Sequence, residues 1–126
     1  MKRIVLTDDA PKPGGQYSQA VISDKFVFCS GQIGIDPTTG NIVEGGLENE
    51  TGQCLLNLEH VLTSIGLNTR NVVKTTVFVT DIGDFKLIND IYSRHFKKDP
   101  PARSIVEVAR LPREAKIMID AIAETF

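Results

Sequence analysis

The segment Val72–Thr80, VVKTTVFVT, constrains the fold more than any other stretch of the chain. Its β-branched residues favour an extended backbone, because a branched Cβ crowds the preceding turn of a helix and packs well on a pleated surface. Side chains alternate along a strand, so Val73, Thr75, Val77 and Val79 line one face while Val72, Thr76 and Phe78 line the other. Both faces therefore carry apolar groups, which places the strand inside a sheet covered on both sides. Two amphipathic helices supply cover for one side. Between Leu47 and Ile65 the apolar residues Cys54, Leu55, Leu58, Val61, Leu62 and Ile65 recur at steps of three and four, and Gly66 ends the helix. Phe85, Ile88, Tyr92 and Phe96 form a second stripe, started by Asp81 or Asp84 and ended by Asp99-Pro100-Pro101. The second sheet face is left to another copy of the chain, so the pattern predicts an oligomer.

The rest of the chain reads as strands and turns. Lys2–Leu6 is a short strand, and Asp9–Gly15, with two prolines and two glycines, is a loop. Phe26–Ser30 is a strand running into Ser30–Gly34, where the glycines predict a bulge or close backbone approach, followed by a turn at Asp36–Asn41. Arg103–Ala109 and Ala115–Ala123 are the last strands, with a turn at Arg110–Glu114. The expected architecture is α+β, a mixed sheet with two helices packed on one face. At 126 residues without repeats or linkers, positions 1–126 form a single domain.

Charge and cysteine content narrow the function. Fourteen Lys and Arg against 16 Asp and Glu give a net charge of -2, which argues against a nucleic-acid partner. No apolar run approaches the ~20 residues needed to span a bilayer, and no signal-peptide core is visible, so a cytoplasmic protein without a membrane partner is expected. Cys29 and Cys54 are too few for a disulfide framework and read as buried free thiols. His60 and His95 lie in the two helices without a neighbouring ligand set, so no metal site is expected. Gly31-x-x-Gly34 lacks the lysine of a phosphate loop, and neither Ser30 nor Ser104 has a histidine placed by sequence to activate it.

Two positions resist a purely structural reading. Met118, Asp120 and Ile122 share a face of the last strand, which sets a carboxylate between large apolar neighbours. Arg103, Ile105 and Glu107 share a face of the preceding strand, with Arg103 at its mouth behind the rigid Pro100-Pro101 pair. Paired antiparallel, the two strands would bring Arg103 within reach of Asp120. Such a pair is either a structural ion pair at an oligomer seam or a carboxylate-binding arginine beside an acid, the geometry that a small 2-oxo or 2-imino acid needs. Tyr17, in a loop rich in Gly, Gln and Ser, either lines a pocket or packs.

Four stretches carry a resemblance: Gly15-Gln16-Tyr17-Ser18-Gln19-Ala20, Ser30-Gly31-Gln32-Ile33, Val73–Val79, and PARSIVEVARLP from Pro101 to Pro112. With them the chain resembles, over essentially its full length, the RidA (YjgF/UK114) family of reactive-intermediate deaminases. The resemblance implies a chorismate-mutase-like fold, a homotrimer with sites in the clefts between subunits, and hydrolysis without a cofactor of enamines and imines such as 2-aminoacrylate and 2-aminocrotonate. The products are 2-oxo acids and ammonia. It further implies that Arg103 binds the substrate carboxylate, that Asp120 stands where the family's acidic residue orients water or moves a proton, and that Tyr17, Ser30, Gly31, Asn89 and Ile105 contact substrate. Three positions depart from the family pattern: Gln16 replaces a proline, Ile105 a cysteine, and Asp120 a glutamate one methylene longer. A non-catalytic module that senses small carboxylates in the same cleft is the alternative expectation.

Overall fold

The computed structural model describes residues 1–125. Eight strands and two helices follow in chain order: β1 (Arg3–Val5), β2 (Ala20–Ser23), β3 (Phe26–Gln32), β4 (Ile35–Asp36), β5 (Asn41–Ile42), α1 (Leu47–Thr63), β6 (Val72–Val79), α2 (Phe85–His95), β7 (Ala102–Glu107) and β8 (Ile117–Glu124). Six strands form one sheet in the order β1-β2-β3-β8-β6-β7, and β4 and β5 form a separate small hairpin across the Asp36–Asn41 turn. The mixed α+β architecture is as expected, with β6 and β7 parallel and every other pair in the large sheet antiparallel.

Strand order corrects one expectation. The strands around Arg103–Ala109 and Ala115–Ala123 are not neighbours: β7 pairs with β6, whereas β8 inserts between β3 and β6. The reason is the α2 crossover, which returns the chain parallel to β6 at the sheet edge. The final strand then takes the interior position, where both of its ladders are satisfied. The sequence reading also missed β2, which meets β3 in a two-residue turn at Asp24 and Lys25, with Asp24 in the left-handed region at φ 55.

Alternation divides the sheet, with one correction: the register of β6 against β8 shifts between Val72 and Lys74, so Val72 joins the core and Val73, expected on the face of Thr75, is 41% exposed. Val27, Cys29, Thr75, Val77, Val79, Ile117, Ile119, Ala121 and Ala123 are buried and form the core with Cys54, Leu55, Leu58, Val61 and Leu62 of α1 and Ile88, Ile91 and Tyr92 of α2. The opposite face carries Phe28, Ile122, Phe78, Met118 and Val106, with Phe28 still 47% exposed and Val106 41% exposed. A polar row, Asp120–Thr76–Ser104, crosses that face, and Lys74 in the next row donates to Thr76 Oγ1 at 3.2 Å and Ser104 Oγ at 3.4 Å. α1 ends near the expected Gly66, which takes φ 80. Asp81 caps the short turn Ile82–Asp84 that leads into α2, accepting a hydrogen bond from the Gly83 backbone N–H at 2.9 Å.

Three buried amides attach irregular segments to this frame. Gln19 bonds the backbone of Thr7, Ala10 and Pro11, and Asn57 donates to the carbonyls of Ile33 and Ile35. Asn71 accepts from the Asn68 N–H and donates to the Glu124 carbonyl. Each satisfies backbone groups that no ladder reaches.

Candidate active site

The residues expected to form one site fall into two groups at different places on the chain. The first surrounds a cavity of about 560 Å³ whose walls include Tyr17, Ser30, Gly31, Ile33, Arg113 and Met118. The cavity exists because the register of β3 against β8 slips between Cys29 and Gln32, the bulge expected from the glycines. Ser30 is fixed there by donating from Oγ to the Ser18 carbonyl at 2.6 Å and from its backbone N–H to the Gln19 carbonyl at 2.9 Å. A Cβ on Gly31 would come within 2.8 Å of Met118 Sδ, so glycine keeps this wall open. Tyr17 is 55% exposed, and its hydroxyl accepts from the Gly14 N–H at 3.3 Å. Gln19 holds the loop that carries Lys12 and Tyr17 over the cavity.

The second group sits at the far edge of the sheet. Arg103 and Ile105, half-buried on β7, point to the helix side, where α2 crosses them and also carries the half-buried Asn89. The Arg103 guanidinium carbon lies 4.8 Å from the centre of the Tyr92 ring and 5.4 Å from that of Phe85. Among the described residues no carboxylate pairs with Arg103. Aromatic faces attract a guanidinium without using its N–H donors, so all five remain free for a planar anion. Glu107 ties this edge to the turn that leads into α2 by accepting from the Ile82 N–H at 2.9 Å. Phe85 and Tyr92 were read from sequence only as part of a buried stripe; their contact with Arg103 depends on where α2 crosses β7.

Asp120 belongs to neither group. Its carboxylate lies on the open face and accepts from the Thr76 N–H at 3.2 Å. In register, Arg103 stands opposite Thr75, and Asp120 opposite Thr76, so their side chains leave opposite faces of the sheet from strands separated by β6. Two strand spacings are about 9.6 Å, and the direct Arg103–Asp120 approach expected from an antiparallel pair does not occur within one chain.

His60 and His95 have structural partners. His95 Nδ1 contacts Glu59 Oε1 at 2.6 Å, and His60 Nδ1 lies 2.6 Å from the Asp9 carbonyl. Both cysteines are free and buried. Burial, with the Asp120 carboxylate adding to it, pushes the Cys29 thiol up to about 12, and burial raises Cys54 as well, so neither is a nucleophile at neutral pH. No helix among the described residues is long and apolar enough to cross a membrane.

A mixed sheet backed by two helices, with an unpaired arginine at one edge and a cavity at the bulge of an interior strand, defines a class: a small α+β protein equipped to hold a small anion. The family model Endoribonuclease L-PSP matches residues 7–125, and the chain belongs to this family, that of RidA, YjgF and UK114. It is 45% identical over 123 residues to the human 2-iminobutanoate/2-iminopropanoate deaminase, covering 98% of this chain and 90% of that protein. RidA from the Antarctic bacterium Psychrobacter sp. superposes with a TM-score of 0.94 at 34% identity, covering 97% of this chain and 98% of that one. E. coli TdcF, solved with bound serine, gives a TM-score of 0.94 at 38% identity, over 98% of this chain and 99% of that one.

Proposed function

We propose that this protein hydrolyses small 2-imino acids and their enamine tautomers, of the 2-aminoacrylate and 2-aminocrotonate type, to 2-oxo acids and ammonia, without a cofactor. The observation that carries the proposal is the half-buried Arg103 guanidinium, held by two aromatic rings and left without a carboxylate partner among the described residues. The name of the human relative and the serine bound to TdcF, which presents the same carboxylate, support it.

The chemistry asks little of the protein. Arg103 holds the substrate carboxylate by two parallel hydrogen bonds, which fixes the adjacent iminium carbon. Water adds to that carbon, one of its protons passes to the nitrogen, the C–N bond breaks to release ammonia, and the oxygen gives up its remaining proton to leave the 2-oxo acid. Asp120, which shares the open face with the cavity-lining Met118, orients the water or carries the proton in the site that the next copy completes. An iminium carbon is already electrophilic, so positioning and electrostatics suffice.

Arg103 and the Tyr17–Ser30–Gly31 cavity lie at β7 and β3, roughly 14 Å apart across three strand spacings, so one chain does not bring them to one small substrate. We place the complete site between subunits, with the open β7 edge of one copy facing the cavity of the next. Edge-to-cavity contacts of this heterologous kind close into a ring when the rotation between copies divides a full turn, as in a trimer. A homotrimer of chorismate-mutase-like arrangement also covers the apolar face that carries Phe28, Phe78 and Val106. A cytoplasmic location fits two reduced thiols.

The test couples a threonine or serine dehydratase to the protein and follows 2-oxo acid release. Wild type accelerates release, and Arg103→Ala abolishes the acceleration while keeping a mass of three times 13.8 kDa in solution. Unchanged turnover in Arg103→Ala removes the carboxylate clamp, and a monomeric mass for wild type contradicts the intersubunit site. Full activity in Asp120→Asn removes Asp120 from the mechanism. Binding of 2-oxobutanoate without any acceleration moves the function to carboxylate sensing.

A further inference from the structure

We propose that Tyr92 is a positioning residue for ligand capture: with Thr75 behind it, it sets where the Arg103 guanidinium presents its N–H donors. This assignment rests on Arg103 being the carboxylate anchor.

Tyr92 is only 6% exposed and so makes no direct approach to a ligand outside the core. Its hydroxyl shares a 2.7 Å hydrogen bond with Thr75 Oγ1, and its ring packs on Phe96 with centroids 4.6 Å apart. Thr75 is fully buried on β6 and stands directly opposite Arg103 in the β6–β7 register. A side chain in that register leaves the sheet on the same face as Thr75, so the arginine stem and the Thr75 hydroxyl emerge as neighbours. The hydrogen bond fixes the Tyr92 ring relative to β6, while the guanidinium carbon rests 4.8 Å from the ring centre. One end of Tyr92 is thus anchored to the strand beside Arg103, and the other end supports its charge.

Phe85 completes the support from the exposed side, at 5.4 Å. Phe85 and Tyr92 are seven residues apart on α2, two turns along one helix face, so a single helix delivers both rings to one arginine. An arginine positioned by carboxylates would arrive at its ligand already neutralised. Positioned by rings, it keeps its full charge and a restricted set of rotamers, which lowers the ordering cost of binding a planar anion. Burial raises the Tyr92 phenol above its ordinary value, so the Tyr92–Thr75 hydrogen bond persists across neutral pH.

The test measures binding of 2-oxobutanoate by calorimetry, together with KM and kcat in the coupled assay. Tyr92→Leu raises Kd and KM about tenfold, the loss expected for one partly desolvated cation–π contact, with kcat changed less than threefold. Tyr92→Phe keeps the ring but frees it from Thr75, so its Kd falls between those of Tyr92→Leu and wild type; a wild-type Kd in Tyr92→Phe removes Thr75 from the positioning role. Phe85→Leu, a change at a 40% exposed position that leaves the core intact, weakens binding severalfold and serves if Tyr92→Leu fails to fold. The decisive arm is the coupling: in an Arg103→Lys background, which keeps a charge and a weakened but measurable Kd while removing the planar guanidinium that the rings orient, Phe85→Leu and Tyr92→Leu change Kd by less than about twofold. Loss of binding in Arg103→Ala with wild-type Kd in both ring variants overturns the positioning role alone. Wild-type binding in Arg103→Ala overturns the anchor itself.

Discussion

Replacing Gln19 by leucine isolates what holds the cavity loop in place. Gln19 is 1% exposed; its Oε1 accepts from the Thr7 N–H at 2.7 Å, and its Nε2 donates to the carbonyls of Thr7, Ala10 and Pro11 at 3.0, 3.3 and 2.9 Å. An amide nitrogen has two hydrogens, so the four contacts amount to about three full hydrogen bonds. Leucine has nearly the same volume and keeps the packing, which leaves the polar groups of the loop as the variable. At about 1 kcal/mol net for each bond, the loss is about 3 kcal/mol. With an unfolding entropy near 2.1 cal/mol/K per residue, that lowers Tm by about 11 °C for a chain of this length. Urea unfolding followed by circular dichroism, at fixed protein concentration, measures the change in midpoint; limited proteolysis reports whether cleavage concentrates at residues 7–15. A loss below about 1 kcal/mol without faster cleavage refutes the loop-tether argument, because the amide bonds would then be replaceable by water.

Two glycines that face different neighbours predict opposite outcomes. A Cβ on Gly34 would meet the Glu50 backbone, 2.8 Å from Cα and 3.0 Å from the carbonyl oxygen, and helix backbone does not yield; Gly34→Ala destabilises by about 1–3 kcal/mol in the same urea titration. A Cβ on Gly31 meets only the flexible end of Met118, so Gly31→Ala unfolds close to wild type while weakening 2-oxobutanoate binding by narrowing the cavity. The buried thiols set an alkaline signature. Because the Cys29 thiol is raised to about 12 when folded, the folded state keeps a proton that the unfolded chain has already released at lower pH, and stability falls with rising pH from about 9 towards 12. Urea titrations across that range check the slope, and a Cys29→Ala variant shows a shallower one.

Much of the architecture follows from local periodicity. The three- and four-residue spacing of Cys54, Leu58, Val61 and Leu62 defines α1, and that of Phe85, Ile88 and Tyr92 defines α2. Alternation correctly groups Met118 with Asp120 and Ile122, and Arg103 with Ile105 and Glu107. The glycines after Cys29 mark the register slip that opens the cavity. These features depend on residues a few positions apart, and the sequence by itself determines them. Tertiary structure decided which strand lies beside which. Insertion of β8 between β3 and β6 is a contest among long-range ladders, and no local signal near Ile117 states its outcome. That choice separates Arg103 from Asp120 and sends them to opposite faces. It likewise decides that Phe85 and Tyr92 meet a guanidinium, since a helical stripe specifies which residues are buried together but not what lies beneath them.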